Sequence, residues 1–371
     1  MGKARRNKMK KQAEVVVIGA GIMGASLAYF LAKHGKEVLV LEQNEICSGT
    51  SSSTAAWLWP TDKTPLHYGK LAWDGYNRYM TLAEELGADF ELTITGGVEP
   101  LYTEEEVRAA EKTIQVAHSL GHPDVRIVSQ KEVQEIEPIL RHDILGAIVS
   151  PYEGHLNPFL LVNAYIQAAK RLGAEVSTYT KVENFVVKGN HIEEIVTNKG
   201  TVKPGLVICA AGIYSRKIGE MVGLDAHVKP ERGFCLVSEK MPKILNNVIV
   251  GARQTVSGNI IFGFIADKVP MDCIDRRMYI RGLQWAAKDA VRDFPALQNI
   301  NIIRSYTGIR CKPEDKFPII GPTGKIDNFW FHLAHSAFAH NPVLSDYVAE
   351  MVAGERPYDS LPEYVYTRFD K

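Results

Sequence analysis

Residues 14–42 read EVVVIGAGIMGASLAYFLAKHGKEVLVLE, and the type of fold can be predicted from them. Four β-branched residues stand near its start, followed by a glycine-rich turn and an Ala/Leu-rich segment. A second apolar run, Val38 to Leu41, is closed by Glu42. β-Branched runs favour strands, whereas Ala and Leu favour helices. The order of strand, glycine turn, helix, strand and acid predicts a βαβ unit that binds a dinucleotide.

Each glycine of the turn has a chemical reason. Gly19 permits the tight turn, and Gly21 lets a pyrophosphate approach the backbone at the positive end of the helix. Gly24 lets helix and strand pack closely. Glu42 lies eighteen positions after Gly24, where a carboxylate accepts hydrogen bonds from both hydroxyls of an adenosine ribose. A 2′-phosphate would meet a like charge there, so NADP is disfavoured, while FAD and NAD both satisfy the pattern.

The composition is that of an ordinary globular enzyme. The 371 residues are 46% hydrophobic and 23% charged, with 43 Lys+Arg and 43 Asp+Glu. This balance gives no field that would attract nucleic acid or an anionic membrane. At about 150 residues per domain, the length predicts two or three domains. The sequence contains no uninterrupted run of about 18 apolar residues, so we expect no membrane-spanning helix.

The termini and the cysteines indicate the cellular setting. The residues before the first strand include six Lys/Arg and no apolar segment, so we expect a flexible basic tail over residues 1–12, with membrane-surface or partner contact as the alternative. The cysteines are odd in number, lie far apart and form no C-x-x-C, which predicts no metal or iron–sulfur centre from this chain alone and a reduced cytoplasm. They are Cys47, Cys209, Cys235, Cys273 and Cys311.

Two later segments suit a dinucleotide. Gly49-Thr50-Ser51 lies in a run of small hydroxylated residues whose hydroxyls and N–H groups suit a pyrophosphate or a flavin edge, with a plain surface loop as the alternative. The apolar run Leu206 to Cys209 ends in Ala210-Ala211-Gly212. A buried strand that ends in such small residues lets a dinucleotide approach the backbone.

The remaining pattern predicts further elements. A helix is expected from about Leu66 to Leu86, and turns around 189–200 predict an antiparallel flap rather than another crossover. Residues 228–303 alternate between strands and one helix, which indicates a separate α+β unit. A last helix is expected from about Val343 to Ala353.

These motifs, in this order, resemble the FAD-dependent D-amino acid oxidase-like superfamily. The glycine turn with Glu42 looks like its first dinucleotide half, and Gly49-Thr50-Ser51 resembles its flavin-contacting loop. Residues 209–215 are similar to its second strand-turn, and Gly308-Ile309-Arg310 followed by residues 315–321 resembles its C-terminal signature. Its members include glycine oxidase, sarcosine oxidase and the catalytic subunits of dye-linked proline, opine and cyanide-forming glycine dehydrogenases.

The resemblance implies an α/β fold, α+β overall. A doubly wound, Rossmann-like FAD-binding domain is expected from residues 13–85, 150–225 and 304–371. A mixed-sheet substrate domain, residues 86–149 and 226–303, is expected to be inserted into it. The resemblance also favours FAD over NAD.

Several site residues follow from the resemblance. Arg310 stands where the family binds the substrate carboxylate, and a guanidinium holds a carboxylate by two hydrogen bonds; a structural ion pair with Asp315 or Glu314 is the alternative. Arg253 is a second cationic candidate. Val182 is expected to offer its backbone to the adenine, and Ala211 and Gly212 to lie under the cofactor. His335 and His340 are expected near the flavin or substrate, with a structural role as the alternative.

Two departures from the family pattern affect these expectations. Residues 334–342 contain no glycine where the family has a Gly-rich turn, so we expect a shorter loop and a different hold on the flavin pyrimidine. Cys311 lies closer to Asp315 than the cysteine that tethers the flavin in some sarcosine oxidases, so we expect non-covalent FAD.

The expected activity is oxidation of the C–N bond of a small amino or imino acid, by hydride transfer to flavin N5 and hydrolysis of the imine. One alternative is the catalytic subunit of a multi-subunit dye- or quinone-linked dehydrogenase, with an electron-transfer partner and peripheral inner-membrane association. A non-catalytic flavin-binding protein is the other alternative. A homo- or hetero-oligomer is expected in either enzyme.

Overall fold

The structure, a computed structural model, describes residues 9–263 and 266–370, with the backbone alone for 266 and 267. Most of the expected basic tail, residues 1–8, therefore lies outside the described residues. The remainder of that segment packs on the sheet, because Lys10 forms ion pairs with Glu37 at 3.1 Å and with Glu175 at 3.2 Å. The first strand begins at Gln12.

Strands and helices alternate along the described chain. The strands are β1 (Gln12–Ile18), β2 (Val38–Leu41), β3 (Trp57–Leu58), β4 (Thr93–Ile94), β5 (Gly97–Leu101), β6 (Arg126–Ser129), β7 (Gly146–Ser150), β8 (Gly154–His155), β9 (Glu175–Ser177), β10 (Val182–Lys188), β11 (His191–Thr197), β12 (Gly200–Cys209), β13 (Val228–Lys240), β14 (Val248–Ile249), β15 (Ala252–Gln254), β16 (Asn259–Phe262), β17 (Ala266–Lys268), β18 (Ile302–Pro313), β19 (Ile319–Pro322) and β20 (Phe329–Leu333). The helices are α1 (Ile22–Lys33), α2 (Leu66–Leu86), α3 (Glu104–Ser119), α4 (Gln130–Ile136), α5 (Pro158–Arg171), α6 (Ser215–Glu220), α7 (Ile280–Asp293) and α8 (Ala337–Ala353).

The first sheet confirms the expected α/β fold. Its central strands are parallel, in the order β20-β12-β1-β2-β9, and β19 pairs antiparallel with β20. Successive side chains of a strand point to opposite faces. Val15 and Val17 accordingly pack with α1, α5 and α8, whereas Val16 and Ile18 pack on the other face with β10 and β11. Helices thus cover one face and an antiparallel β-meander the other.

The second sheet is built from two separated parts of the chain. Its order is β17-β13-β16-β15-β14-β5-β7-β6, and β18 pairs antiparallel with β13 along almost its whole length. Helix α7 packs on this sheet through Gly282, where an added Cβ would lie 2.4 to 2.8 Å from the Phe234 ring, so only a glycine lets helix and strand come this close. The long β13–β18 pair leads directly toward the first sheet.

Helix α2 confirms the helix predicted from Leu66 to Leu86, but the predicted start of the last helix was wrong. Helix α8 begins at Ala337 and contains Pro342, which cannot donate a backbone hydrogen bond. Packing compensates for that loss. An added Cβ at Gly75 of α2 would lie 2.5 Å from the Ala339 carbonyl oxygen, so the two helices are in direct backbone contact. Propensity around a proline predicts a helix end, and tertiary packing overrides it.

Candidate functional site

A cavity of about 540 Å³ lies at the carboxyl ends of β1, β2 and β12. The strands β13 and β18 of the second sheet close its other side. In α/β folds, ligands bind at the carboxyl ends of parallel strands, where the connecting loops diverge. The cavity is therefore where a dinucleotide is expected from the topology alone.

The glycine turn forms one wall of this cavity. Gly19 has a φ of +108°, and an added Cβ would lie 2.7 Å from the Ala210 carbonyl oxygen. A side chain at Gly24 would collide with the carbonyl oxygen of Gly19, so Gly24 serves helix packing and does not line the cavity. Gly21 lines the cavity at the start of α1, where an added Cβ would meet Ser51 at 3.0 Å.

Glu42 lies at one end of the cavity and is 9% exposed. One carboxylate oxygen accepts a hydrogen bond from the backbone N–H of Ala20 at 2.8 Å, and the other accepts one from Asn44 at 2.8 Å. Each oxygen keeps a further lone pair for a ligand hydroxyl. Val182, the first residue of β10, lines the same end.

The middle of the cavity is built from small residues. Gly49, Thr50 and Ser51 all line it, and the Ser51 hydroxyl accepts a hydrogen bond from the backbone N–H of Ile22 at 2.9 Å. Thr50 donates its hydroxyl proton to the carbonyl of Ile309 in β18. The hydroxylated run therefore joins the first turn of α1 to the second sheet. Ala211 and Gly212, just beyond β12 and next to Gly19, also line the cavity.

Arg310 lies at the far end of the cavity on β18. Its guanidinium lies over Gly233, where an added Cβ would be 3.3 Å from Nε and 3.4 Å from Nη2. No described residue forms a hydrogen bond or ion pair with its side chain. Its cross-strand neighbour Glu231 is paired with Lys312 at 2.8 Å.

The two carboxylates considered as structural partners of Arg310 are engaged elsewhere. Asp315 forms a two-point contact with Arg368, at 2.7 and 3.1 Å. Glu314 lies 3.6 Å from Lys229 and 3.6 Å from the His227 ring. Within the described residues, the Arg310 guanidinium is therefore available to an anionic ligand.

The two histidines near the C-terminus occupy different places. His335 lines the cavity, and burial, followed by the charges of Arg310 and Lys63, lowers the pKa of its ring to about 4. His335 is therefore neutral at pH 7. His340 is fully buried behind the cavity against Tyr68, and burial lowers its pKa to about 3.

Arg253 is 4% exposed and does not line the cavity. Its Nε donates to the carbonyl of Ala55, and its Nη1 lies 3.2 Å from Nδ1 of His155. Burial lowers the pKa of Arg253 to about 10, so the guanidinium stays charged at pH 7. Arg253 therefore holds the loop that contains Ala55, which lines the cavity, from the side away from the cavity.

The glycine-free segment 334–342 contains a short loop, residues 334–336, between β20 and α8, and its remaining residues are helical. Ser336 takes the left-handed conformation, with φ of +53°, at the position before α8. Residues 336–339 line the cavity, so the first turn of a 17-residue helix lies there without a side-chain cap. The positive end of the α8 dipole and its free N–H groups favour a negative charge at this point.

Four residues that line the cavity at the Arg310 end were not predicted as site residues from the sequence: Trp59, Asp62, Lys63 and Glu99. Glu99 is the one charged residue of the otherwise apolar strand β5. This exception in the pattern could have indicated from the sequence that Glu99 belongs to the site. Asp62 and Lys63 lie in a loop and carry no distinctive spacing. Lys63 is 7% exposed, which is unusual for a lysine unless it has a partner.

The cavity lining fits an FAD molecule. Along it lie a glycine turn free of side chains, a carboxylate held by two N–H groups, and the N-termini of α1 and α8, whose own N-cap residues provide no side-chain cap. The family model described as FAD dependent oxidoreductase matches residues 14–351. The chain belongs to the FAD dependent oxidoreductase family. FAD is its cofactor, and the resemblance that the sequence motifs indicated is confirmed.

Relatives of this FAD dependent oxidoreductase span almost its whole length. An opine oxidase subunit from Rhizobium meliloti is 27% identical over 97% of this chain and 98% of the relative. Glycine oxidase of Bacillus subtilis (strain 168) is 29% identical over 88% of this chain and 89% of the relative. The structure of L-proline dehydrogenase from P. horikoshii superposes with a TM-score of 0.90 at 26% identity, covering 98% of this chain and 99% of the other.

Two features of other protein classes are missing from the described part of the chain. No helix there is long and apolar enough to cross a membrane. No group of three or more His, Cys, Asp or Glu side chains is placed there to hold a metal ion.

Proposed function

We propose that this enzyme oxidises the C–N bond of a small amino or imino acid, giving an imine that water hydrolyses. The observation that carries the proposal is Arg310, a guanidinium at the cavity wall without a carboxylate partner among the described residues. A buried or half-buried cation without a partner is costly, so a ligand carboxylate is its natural complement. The glycine oxidase and opine oxidase relatives support a substrate of this class.

The proposed cofactor contacts follow the cavity from one end to the other. Glu42 would hold the ribose hydroxyls, and the N–H groups at Gly21 and the hydroxylated loop would hold the pyrophosphate. Val182 would offer its backbone to the adenine, and the first turn of α8 would lie near the flavin pyrimidine. When bound, FAD accepts a hydride at its N5.

FAD is proposed to bind without a covalent bond. Cys311 lines the cavity, but burial raises the pKa of its thiol to about 12. Cys235, which also lines the cavity, has a thiol pKa raised to about 11 by burial. Because the thiolate is the nucleophile, neither cysteine is prepared to attack a flavin.

The residues at the Arg310 end have distinct proposed tasks. Arg310 would hold the substrate carboxylate through two parallel N–H···O bonds, which fixes the position of the adjacent carbon. His335, neutral at pH 7, would contribute a hydrogen bond without opposing the positive charge of Arg310. Arg253 would act indirectly, by holding the Ala55 loop against the cavity.

A second candidate function is the catalytic subunit of a larger, dye- or quinone-linked dehydrogenase in the cytoplasm, passing electrons to a partner subunit. The opine oxidase relative, which matches nearly the full chain, is named as one subunit of its enzyme, and the proline enzyme is named as a dehydrogenase. A homo- or hetero-oligomer is proposed on the same ground.

The decisive experiment is anaerobic mixing of the FAD-loaded protein with a panel of amino and imino acids. Bleaching of the flavin absorbance by at least one of them is expected, and no bleaching by any would reject the proposal in favour of a non-catalytic flavoprotein. Peroxide formation in air would then identify an oxidase, whereas turnover only with an artificial dye would identify a dehydrogenase subunit. Release of the flavin by acid precipitation is expected if the bond is non-covalent.

A further inference from the structure

Glu99 is a carboxyl group in the cavity wall on β5. Alternation along the strand places Gly97 and Glu99 on the same face. An added Cβ at Gly97 would lie 2.7 Å from the Glu153 side chain and 2.9 Å from the Trp59 ring, so both side chains occupy the space over Gly97. Glu99 is therefore next to a buried second carboxyl group and an aromatic wall of the same cavity.

The charges around Glu99 do not balance. Lys63 is paired with Asp62 and donates to the carbonyl of Trp59 at 3.1 Å. Glu153 is 0% exposed, and although one of its oxygens accepts from Thr61, Oε2 has no hydrogen-bond partner among the described residues. Three carboxyl groups thus face one lysine that Asp62 already neutralises.

Glu99 itself forms no hydrogen bond or ion pair with a described residue. Burial, followed by the charge of Asp62, raises the pKa of its carboxyl group to about 7. The positive charge of Lys63 lowers this pKa, and Glu153 and Glu106 raise it further. At neutral pH the group is poised between its two forms, as a proton acceptor must be.

We propose that Glu99 binds the substrate's ammonium group and accepts its proton. This rests on the proposed oxidation of an amine, because a hydride leaves the carbon only when the nitrogen lone pair is free to form the C=N bond. In the step, an N–H bond breaks and an O–H bond forms on Glu99, and the electron pair stays on nitrogen. The products are a neutral amine and a neutral carboxylic acid, which later returns its proton to water.

Other groups that line the cavity are less suited to this step. His335 has a pKa of about 4, so it is a much weaker base than Glu99. The Cys235 and Cys311 thiols, with pKa values of about 11 and 12, are protonated at neutral pH. Arg310, a cation, would repel an ammonium group and attract a carboxylate, so Arg310 and Glu99 would bind opposite charges of one substrate.

The test is stopped-flow reduction of the FAD-loaded enzyme by its best substrate, at saturating concentration, from pH 5.5 to 9.5. In the unaltered enzyme the limiting rate should fall about tenfold per pH unit below pH 7, since protonated Glu99 cannot accept a proton. Glu99→Gln should lose about 100-fold at pH 7 and reach its full rate only two or more pH units higher.

Two further variants give the matched comparison. Glu137 is also a buried carboxyl group with a pKa raised to about 7 by burial, but it lies outside the cavity and accepts N–H bonds from Asn246 and Asn247. Glu137→Gln should therefore leave the profile unchanged. Asp62→Asn removes a negative charge that raises the Glu99 pKa. The fall of the limiting rate at acidic pH should therefore move to lower pH in this variant.

A readout without turnover completes the test. The infrared C=O band of a protonated carboxyl group should disappear as the pH rises through 7 in the unaltered protein and in Glu137→Gln, and its Glu99 component should be missing in Glu99→Gln. Equal pH profiles for Glu99→Gln and the unaltered enzyme would overturn the proposal. Absence of flavin bleaching in the unaltered enzyme would instead reject the proposed function, and the infrared titration would still report on Glu99.

Discussion

The two ends of the cavity are built in different ways. At the Glu42 end, the glycine turn and the acid come from residues 19–42, and the groups offered to a ligand are mostly backbone N–H and one carboxylate. At the Arg310 end, side chains arrive from the loop before α2, from β5, from β18 and from the start of α8. In the proposed arrangement the first end would hold the adenosine part of FAD, and the second would contact the substrate.

The difference also concerns how each charge is held. Glu42 has two backbone donors that fix its carboxylate before any ligand binds. Arg310 and Glu99 have no such partner among the described residues. A preorganised end gives affinity for the cofactor, and an end with unsatisfied charges discriminates strongly between ligands, because the wrong ligand leaves a buried charge unpaired.

The largest effect is expected from Gly19→Ala at the cofactor end. The new Cβ would lie 2.7 Å from the Ala210 carbonyl oxygen, at a φ of +108° that strains any side chain. We expect a destabilisation of roughly 2–5 kcal/mol and purified protein that lacks FAD. The melting temperature and the flavin-to-protein absorbance ratio would measure it.

Gly35→Ala is the matched control for this change. Gly35 also has a positive φ, of +76°, but an added Cβ there meets no atom within 4 Å. Its cost should be limited to the backbone strain, about 1–2 kcal/mol, with full FAD content. Equal flavin loss in both variants would show that backbone strain alone, without the contact to β12, explains the effect.

An intermediate effect is expected from Arg310→Lys at the substrate end. Lysine carries the charge but cannot form two parallel hydrogen bonds to a carboxylate. The KM for a carboxylate substrate should rise about 100-fold while the flavin content stays unchanged. Steady-state kinetics of Arg310→Lys beside Arg304→Lys, an exposed position on the same strand β18, would check it. An unchanged KM would remove Arg310 from the proposed role.

The smallest effect is expected from Glu42→Gln. The amide has only one acceptor oxygen, so one of the N–H groups of Ala20 and Asn44 loses its partner. FAD affinity should fall about tenfold, with no change in substrate KM. Titration of apoprotein with FAD would measure this, with Glu45→Gln, an exposed neighbour, as the control. A changed KM would mean that the two ends are coupled.

Sequence patterns predicted the local parts of this molecule well. The helix from Leu66 to Leu86 was predicted because its apolar residues repeat at helical spacing. The start of α8 was missed because Pro342 argues locally against a helix. Contacts with α1 and α2 stabilise the start of α8, and these contacts join residues more than 250 positions apart.

The site shows the same division. Glu42 and the glycine turn were predicted from their spacing, because residues 14–42 form one continuous βαβ unit in which Glu42 accepts a hydrogen bond from Ala20. Lys63 and Glu99 were missed, because their burial and their charges depend on β5 and the loop before α2 meeting at one cavity. A pKa of about 7 for Glu99 is a property of that environment and of no pattern in the sequence.

Short sequence patterns were thus enough to predict the dinucleotide-binding unit, and the resemblance of those motifs to a known family gave FAD and Arg310 as a candidate anion holder. These depend on backbone conformation and residue chemistry, which short stretches specify. The tertiary structure alone decided that the α8 helix end reaches the cavity, that Arg253 lies behind it, and that Glu99 faces it with a partly neutralised charge. Those properties arise from desolvation and from distances between remote segments, which no local pattern encodes.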